Sequence, residues 1–222
     1  MRPAPKKRAL PSAALELALH AAGVDTLAGL DEAGRGSWAG PVVAAAVILP
    51  LNTPEDLRKL NGVRDSKLMT PRQREEWART LKHLSVAYAI GQASSKEIDQ
   101  LGILPATRLA MMRACQGLSP PPEHLLIDYM LLPELSCPQT ALSHGDALVV
   151  SIAAASILAK VTRDHMMIAL DDQYPEFGFA RHKGYGTQLH RKCLKQYGPC
   201  TIHRFSYAPV QAADQIAGQQ PL

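Results

Sequence analysis

Cysteine is scarce in this chain. Four occur in 222 residues, Cys115, Cys137, Cys193 and Cys200, with no Cys-x-x-Cys among them. That pattern excludes a disulfide framework and fits a reducing, cytoplasmic setting. His190, Cys193, Cys200 and His203 fall within a short stretch, but their spacing matches no common zinc module, and a helix is expected between them. No apolar run approaches the roughly 18 residues that a membrane-spanning helix needs. The opening Met1–Arg8 is basic but lacks the apolar core of a signal peptide, so it reads as a solvated arm. There are no internal repeats and no Ser-His or Cys-His nucleophile pattern. Charge is only mildly unbalanced, +4 with a pI near 8.9. That balance is compatible with a polyanionic partner without being diagnostic of one.

What is present is enough apolar sequence for one large domain. Short strands are expected over 26–30, 42–49, 85–92, 124–128 and 141–142. The 42–49 run is almost wholly apolar, as for a strand buried on both faces. Helices are expected over 11–22, 54–60, 71–83, from Ser94, over 103–114, over 147–170 as one long buried helix, and over 188–197. Thr70-Pro71 is a helix start by its capping residue and first-position proline. The chain after Phe205 reads as loose. Strands separated by helices predict an α/β layer structure, with an antiparallel meander of three strands followed by parallel additions. An arm and short helix are expected over 1–24, one main domain over 25–210 and a tail over 211–222.

The stretch Asp31-Glu32-Ala33-Gly34-Arg35-Gly36 carries the chemical signal. Adjacent carboxylates repel beside a core strand, and a hard divalent cation reverses that penalty. Glycines permit close backbone approach, and arginine suits phosphate geometry. Alone, Asp-Glu-x-Gly is equally an exposed turn. Asp128 ends a predicted strand and Asp146 precedes a predicted helix; separately, each reads as a turn residue or helix cap. Together they gain weight, because in open α/β sheets ligands gather beyond the carboxyl ends of strands. Four uncompensated carboxylates in one pocket are disfavoured, whereas two divalent ions would give them a function in phosphodiester hydrolysis.

These blocks, with Asp65-Ser66-Lys67, Leu126-Ile127-Asp128, Gly145-Asp146, Ala154–Asp164, His182–Thr187 and His203–Val210, resemble ribonuclease HII in their order along residues 25–210. The resemblance implies a ribonuclease H-like mixed five-stranded sheet flanked by helices, with a helical C-terminal extension. It implies a monomeric cytoplasmic endonuclease, with no membrane association, that cleaves RNA in RNA–DNA hybrids. It further implies incision 5′ of ribonucleotides embedded in duplex DNA, with 5′-phosphate and 3′-hydroxyl products. By position, Asp31, Glu32, Asp128 and Asp146 would be the catalytic acids holding two Mn2+ or Mg2+ ions. Gly34, Arg35 and Gly36 would contact the 2′-hydroxyl and a phosphate. Tyr185 would pack on the sugar, and Ser66, Lys67 and Lys183 would hold phosphates. Lys160 and Arg163 are candidates for the same task or for a solvated helix face. Two positions depart from the family pattern: Ser37 stands where proline is frequent, and Tyr129 where glycine is frequent.

Overall fold

The computed structural model describes residues 10–51 and 53–217. Its centre is a five-stranded sheet in the order β3-β2-β1-β4-β5. Strand β1, Leu27–Ala33, pairs antiparallel with β2, Val42–Ile48, which pairs antiparallel with β3, Ala87–Ala93. On its other side β1 runs parallel to β4, His124–Asp128, and β4 runs parallel to β5, Gln139–Leu142. This is the meander with parallel additions that the sequence predicts.

Strand β2 is buried along its whole length because both faces of the sheet are covered. Its side chains alternate between two cores. Ala44 and Ala46 face the helix Ile103–Gln116, together with Leu30, Leu125 and Ile127. Ala45 and Val47 face the helix Val150–Gln173. Small residues let the helices sit close to the sheet. At Gly29, an added Cβ would lie 2.5 Å from the Ser151 carbonyl oxygen and 2.6 Å from the Ile152 nitrogen.

In chain order the helices are α1 (Ala14–Ala21), α2 (Pro54–Lys59), α3 (Pro71–Leu84), α4 (Ser95–Leu101), α5 (Ile103–Gln116), α6 (Gly145–Leu148), α7 (Val150–Gln173), α8 (Phe179–His182), α9 (Gln188–Tyr197) and α10 (Ala208–Ala217). Thr53, Thr70, Ser94 and Thr187 cap α2, α3, α4 and α9 through their side chains, and two of them form full capping boxes, with Gln73 and Glu97.

Three expectations need correction. Strand β1 does not stop before the acids: Asp31 and Glu32 lie within it, paired with Ala45 and Ala44 of β2. The long buried helix is two helices, because Val149 is extended and separates α6 from α7. Val149 caps the break by donating to Gly145 and accepting from Ala153. The segment after Phe205 is not loose, for α10 packs on α9 and buries Val210. The basic arm at 1–8 lies outside the described residues, as do 218–222 of the tail.

Candidate active site

The sheet topology brings the acids together. The parallel pairing of β1 with β4 ends at Leu30 and Ile127. Asp31 and Asp128 therefore emerge on adjacent strands one residue beyond it. Asp146 arrives from the first turn of α6, where His144, in a left-handed conformation, opens the turn. Gly145 donates its N–H to Asp128 Oδ1 at 2.7 Å, which ties α6 to the end of β4. Carboxylate oxygens of Asp31, Asp128 and Asp146 all lie within 4.8 Å of one another. Glu32 stands beside them, with Oε1 held 3.2 Å from Arg35 Nη1.

Electrostatics make this cluster costly without a cation. Burial, and then the charges of Glu32 and Asp128, push the Asp31 carboxyl well above its ordinary range. Burial also raises Glu32, against the opposing pull of Arg35. Asp128 is raised by burial and by Asp146, with the Gly145 N–H pulling the other way. Lys67 offsets part of the charge through its Nζ, 2.9 Å from Asp146 Oδ2. Burial works against its ammonium, but Asp146, Asp31 and Asp65 outweigh it and raise the Lys67 pKa. Three oxygen donors converging in one spot, with a single lysine against several acids, suit hard divalent cations. The residues present therefore fit the metal that the sequence suggests.

A cavity of about 300 Å³ opens over Asp31, Glu32 and Asp128, lined also by Gly34, Arg35, Ser66, Lys67, Lys160 and Tyr185, while Asp146 meets the other two aspartates from outside its lining. Most of the expected substrate contacts thus share one pocket with Asp31, Glu32 and Asp128. Two do not line it. Gly36 lies outside, with open space where a side chain would project. The Lys183 side chain instead donates to the carbonyl of Ala180, and its backbone is left-handed. Ser66 Oγ contacts Ser156 Oγ at 2.8 Å, which fixes it against α7. Lys160 pairs with Asp164 at 2.8 Å and also sits over the Tyr185 ring, so it is neither a free phosphate clamp nor a purely solvated residue.

Two residues that sequence reasoning undervalued hold the pocket's walls. Arg163 and Arg204 are fully buried, and both donate chiefly to backbone carbonyls. Arg163 bonds Pro41, Lys183 and Ala39, and lies under the Tyr185 ring. Arg204 bonds Gly40, Arg35 and Gly34, and also the Tyr207 hydroxyl. Five donors in a rigid fork allow one side chain to fix several loop carbonyls at once. Gly34 makes room for this, since a Cβ there would fall 2.5 Å from Arg163 Cδ on a backbone with φ of +98°. Burial lowers both guanidinium pKa values, Arg163 to about 10. The only sequence signal for them was their place inside matched blocks.

The departures from the family pattern have local explanations. Ser37 donates both its N–H (3.3 Å) and its Oγ hydroxyl (2.8 Å) to the Gly34 carbonyl. Proline could supply neither bond. Tyr129 has φ of +68°, a conformation natural to glycine; the residue is 65% exposed, and Arg35 Cζ lies 5.7 Å from its ring centre. In the His/Cys stretch, His190 and His203 hydrogen-bond to each other through their Nε2 atoms at 3.0 Å. Among the described residues the metal-competent cluster is the aspartate trio, and Cys193 packs into the apolar core of the C-terminal part.

A ribonuclease H2 structure from Pyrococcus horikoshii OT3 superposes with a TM-score of 0.73 at 28% identity, covering 88% of this chain and all of that one. Fold and acidic pocket together define a ribonuclease H, a divalent-metal-dependent hydrolase. The family model described as ribonuclease HII matches residues 28–210. A ribonuclease HII of Desulfitobacterium hafniense (strain DSM 10664 / DCB-2) is 54% identical over 185 residues, 83% of this chain and 69% of the relative. Another, from Dehalococcoides mccartyi (strain ATCC BAA-2100 / JCM 16839 / KCTC 5957 / BAV1), is 47% identical over 201 residues, 90% and 94% of the two chains. The chain belongs to the ribonuclease HII family, and its activity is endonucleolytic cleavage of RNA in RNA–DNA hybrids. Among the described residues, no helix is long and apolar enough to cross a membrane.

Proposed function

We propose that this enzyme also incises duplex DNA on the 5′ side of a single embedded ribonucleotide, leaving 5′-phosphate and 3′-hydroxyl ends. The observation that carries the reading is the union, in one cavity, of an acid cluster with a glycine-walled loop and an aromatic ring. Asp31, Glu32, Asp128 and Asp146 would hold two divalent ions, Mg2+ or Mn2+. When bound, such ions supply an activated water and stabilise the leaving oxygen. The protein's own groups do the rest. Gly34 and Arg35, on a loop held by Arg204, bring backbone and guanidinium to the 2′-hydroxyl and the neighbouring phosphate. Gly36, beyond the cavity wall, leaves that approach open. The 2′-hydroxyl is the group that separates RNA from DNA at one nucleotide. Tyr185 packs on the sugar, and Ser66 and Lys67 take the phosphate. Lys183 joins them once its amine leaves the Ala180 carbonyl. The catalytic unit is residues 25–210, acting as a cytoplasmic monomer in the removal of ribonucleotides from DNA.

A labelled DNA duplex carrying one ribonucleotide tests the reading against an all-DNA duplex and a continuous hybrid. Cleavage on the 5′ side of the ribonucleotide, with the all-DNA duplex intact, is the expected result. Cleavage of the continuous hybrid alone would refute it.

A further inference from the structure

The histidine-rich stretch left unused by the acidic site forms a hydrogen-bonded chain that ends on Tyr185. Cys200 donates its N–H to His203 Nδ1 at 2.9 Å. His203 then carries its proton on Nε2, which faces His190 Nε2 at 3.0 Å. His190 must accept there, so its own proton sits on Nδ1, 3.1 Å from the Tyr185 carbonyl. His203 Nδ1 also lies 3.1 Å from Cys200 Sγ and 3.2 Å from the Cys200 carbonyl oxygen. Because the Tyr185 carbonyl can only accept, the order running from the Cys200 N–H through His203 and His190 is the one that leaves Tyr185 bonded. Both rings are fully buried. Burial depresses each imidazole to about 4, which keeps both rings neutral near pH 7. A third imidazole, His182, stacks on His190 with ring centres 4.4 Å apart. It accepts the Gly184 N–H and faces the Phe177 carbonyl at 2.8 Å.

The segment these rings grip is short and conformationally costly. Lys183 is left-handed, Gly184 has φ of +80°, and Tyr185 donates its N–H back to His182. Trp38 N–H meets the Gly184 carbonyl at 2.8 Å, and Ser37 bridges Tyr185. The relay therefore attaches to the backbone of the one aromatic residue in the acidic cavity.

We propose that His203 and His190 are positioning residues for Tyr185, a buried two-imidazole relay that fixes where its ring meets the nucleotide. The consequence for catalysis rests on the reading of Tyr185 as the sugar-contacting residue; the attachment itself does not. His190→Phe keeps a ring of similar size and removes the relay. His190→Asn keeps an amide N–H near the place of Nδ1 and so can still bond the Tyr185 carbonyl. His203→Gln likewise keeps a donor near the place of Nε2. Hydrogen exchange of the Gly184 and Tyr185 amides, which bond to His182, reads on the full chain whether the segment loosens when the relay is cut. Exchange there should quicken at least about tenfold in His190→Phe relative to the global unfolding limit, and return toward the parent rate in His190→Asn and His203→Gln. Turnover on a duplex with one ribonucleotide reads the consequence. In His190→Phe, kcat should fall about tenfold with KM within roughly twofold, the scale of a small misplacement. In a Tyr185→Ala background the same change should add no further loss.

Unchanged local exchange in a folded His190→Phe would overturn the relay, as would exchange in His190→Asn as fast as in the phenylalanine variant. If His190→Phe does not fold, the proposal stands or falls on His203→Gln and His203→Phe by the same exchange measurement. Equal activity losses in the parent and Tyr185→Ala backgrounds would overturn a role acting through Tyr185. Full activity of Tyr185→Ala beside quickened exchange in His190→Phe would instead refute the sugar-contact reading and leave the attachment established.

Discussion

Replacing Gly29 by alanine tests how the fold positions the acids. Gly29 lies two residues before Asp31 on the central strand, and its missing side chain is the space into which the start of α7 fits. An alanine Cβ would fall 2.5 Å from the Ser151 carbonyl oxygen and 2.6 Å from the Ile152 nitrogen. Both neighbours are backbone, so no side chain can turn aside. Restoring ordinary contact requires α7 to retreat by about 1 Å, and close-packed interiors transmit such a shift rather than absorb it. Overpacking typically costs about 1–3 kcal/mol, and the separated sheet–helix faces lose part of their dispersion energy. Alanine recovers roughly 0.5–1 kcal/mol through a less flexible unfolded chain. A net loss of about 1–2 kcal/mol is expected, equivalent to a fall of about 2–8 °C in melting temperature for a chain of this size. Because α6, with Asp146, joins α7 through Val149 alone, the same retreat separates Asp146 from Asp31. Activity at 25 °C should therefore drop further than the unfolded fraction explains. Gly36→Ala is the stability control, with nothing within 4 Å of the added carbon. Calorimetric melting and single-turnover cleavage provide the assay. A Gly29→Ala protein that melts within 1 °C of the parent (about 0.3 kcal/mol) and cleaves normally would refute the packing argument.

Other consequences are equally direct. Asp31→Asn should abolish cleavage of an RNA–DNA hybrid while filter binding of the hybrid survives, since the amide removes a charge and leaves the pocket's shape. The His190 and His203 pKa values, depressed to about 4 in the fold, should make stability pH-dependent. The unfolded chain takes up protons below its ordinary value near 6.5 while the folded chain does not. Stability is thus complete above that value and falls as pH drops toward 4, by about 1.4 kcal/mol per pH unit for each ring. The raised Asp31, Glu32 and Asp128 carboxyls act in the opposite sense in parent and variant alike, so this slope is read as the difference between parent and His203→Gln melting temperatures from pH 7.5 to 5. Tyr129→Gly removes a side chain from a left-handed position, so stability should stay within about 1 kcal/mol of the parent. The KM for a duplex should rise as Arg35 loses the ring beside it, and an unchanged KM would show that the ring does not contribute.

Much of this protein was readable from residue order, but for uneven reasons. The unbroken apolar run of Val42–Ile48 and the capping residues Thr70, Ser94 and Thr187 each specify local structure by themselves, and those elements appear where expected. Asp31 and Asp128 were visible as acids at predicted strand ends and Asp146 as the acid before a predicted helix, and the parallel pairing of β1 and β4 brings the first two side by side. The continuation of β1 through Asp31 and Glu32 was hidden, since adjacent acids have poor strand propensity and only pairing with Ala44 and Ala45 overrides it. The break at Val149 was hidden because the surrounding apolar pattern is continuous. Helix α10 was hidden because what holds it is tertiary: it packs on α9 and buries Val210. Arg163 and Arg204 look like surface charges by composition. Their burial depends on loop carbonyls brought from more than a hundred residues away.

The central claim is that acids from β1, β4 and α6 form one cation site. Calorimetric titration of Mn2+ into the free protein and into Asp128→Asn measures it without reference to activity. The account predicts binding to the parent and an affinity at least about tenfold weaker in the variant, since even outer partners of a metal site contribute on that scale. Equal Mn2+ affinity in the two proteins would contradict it.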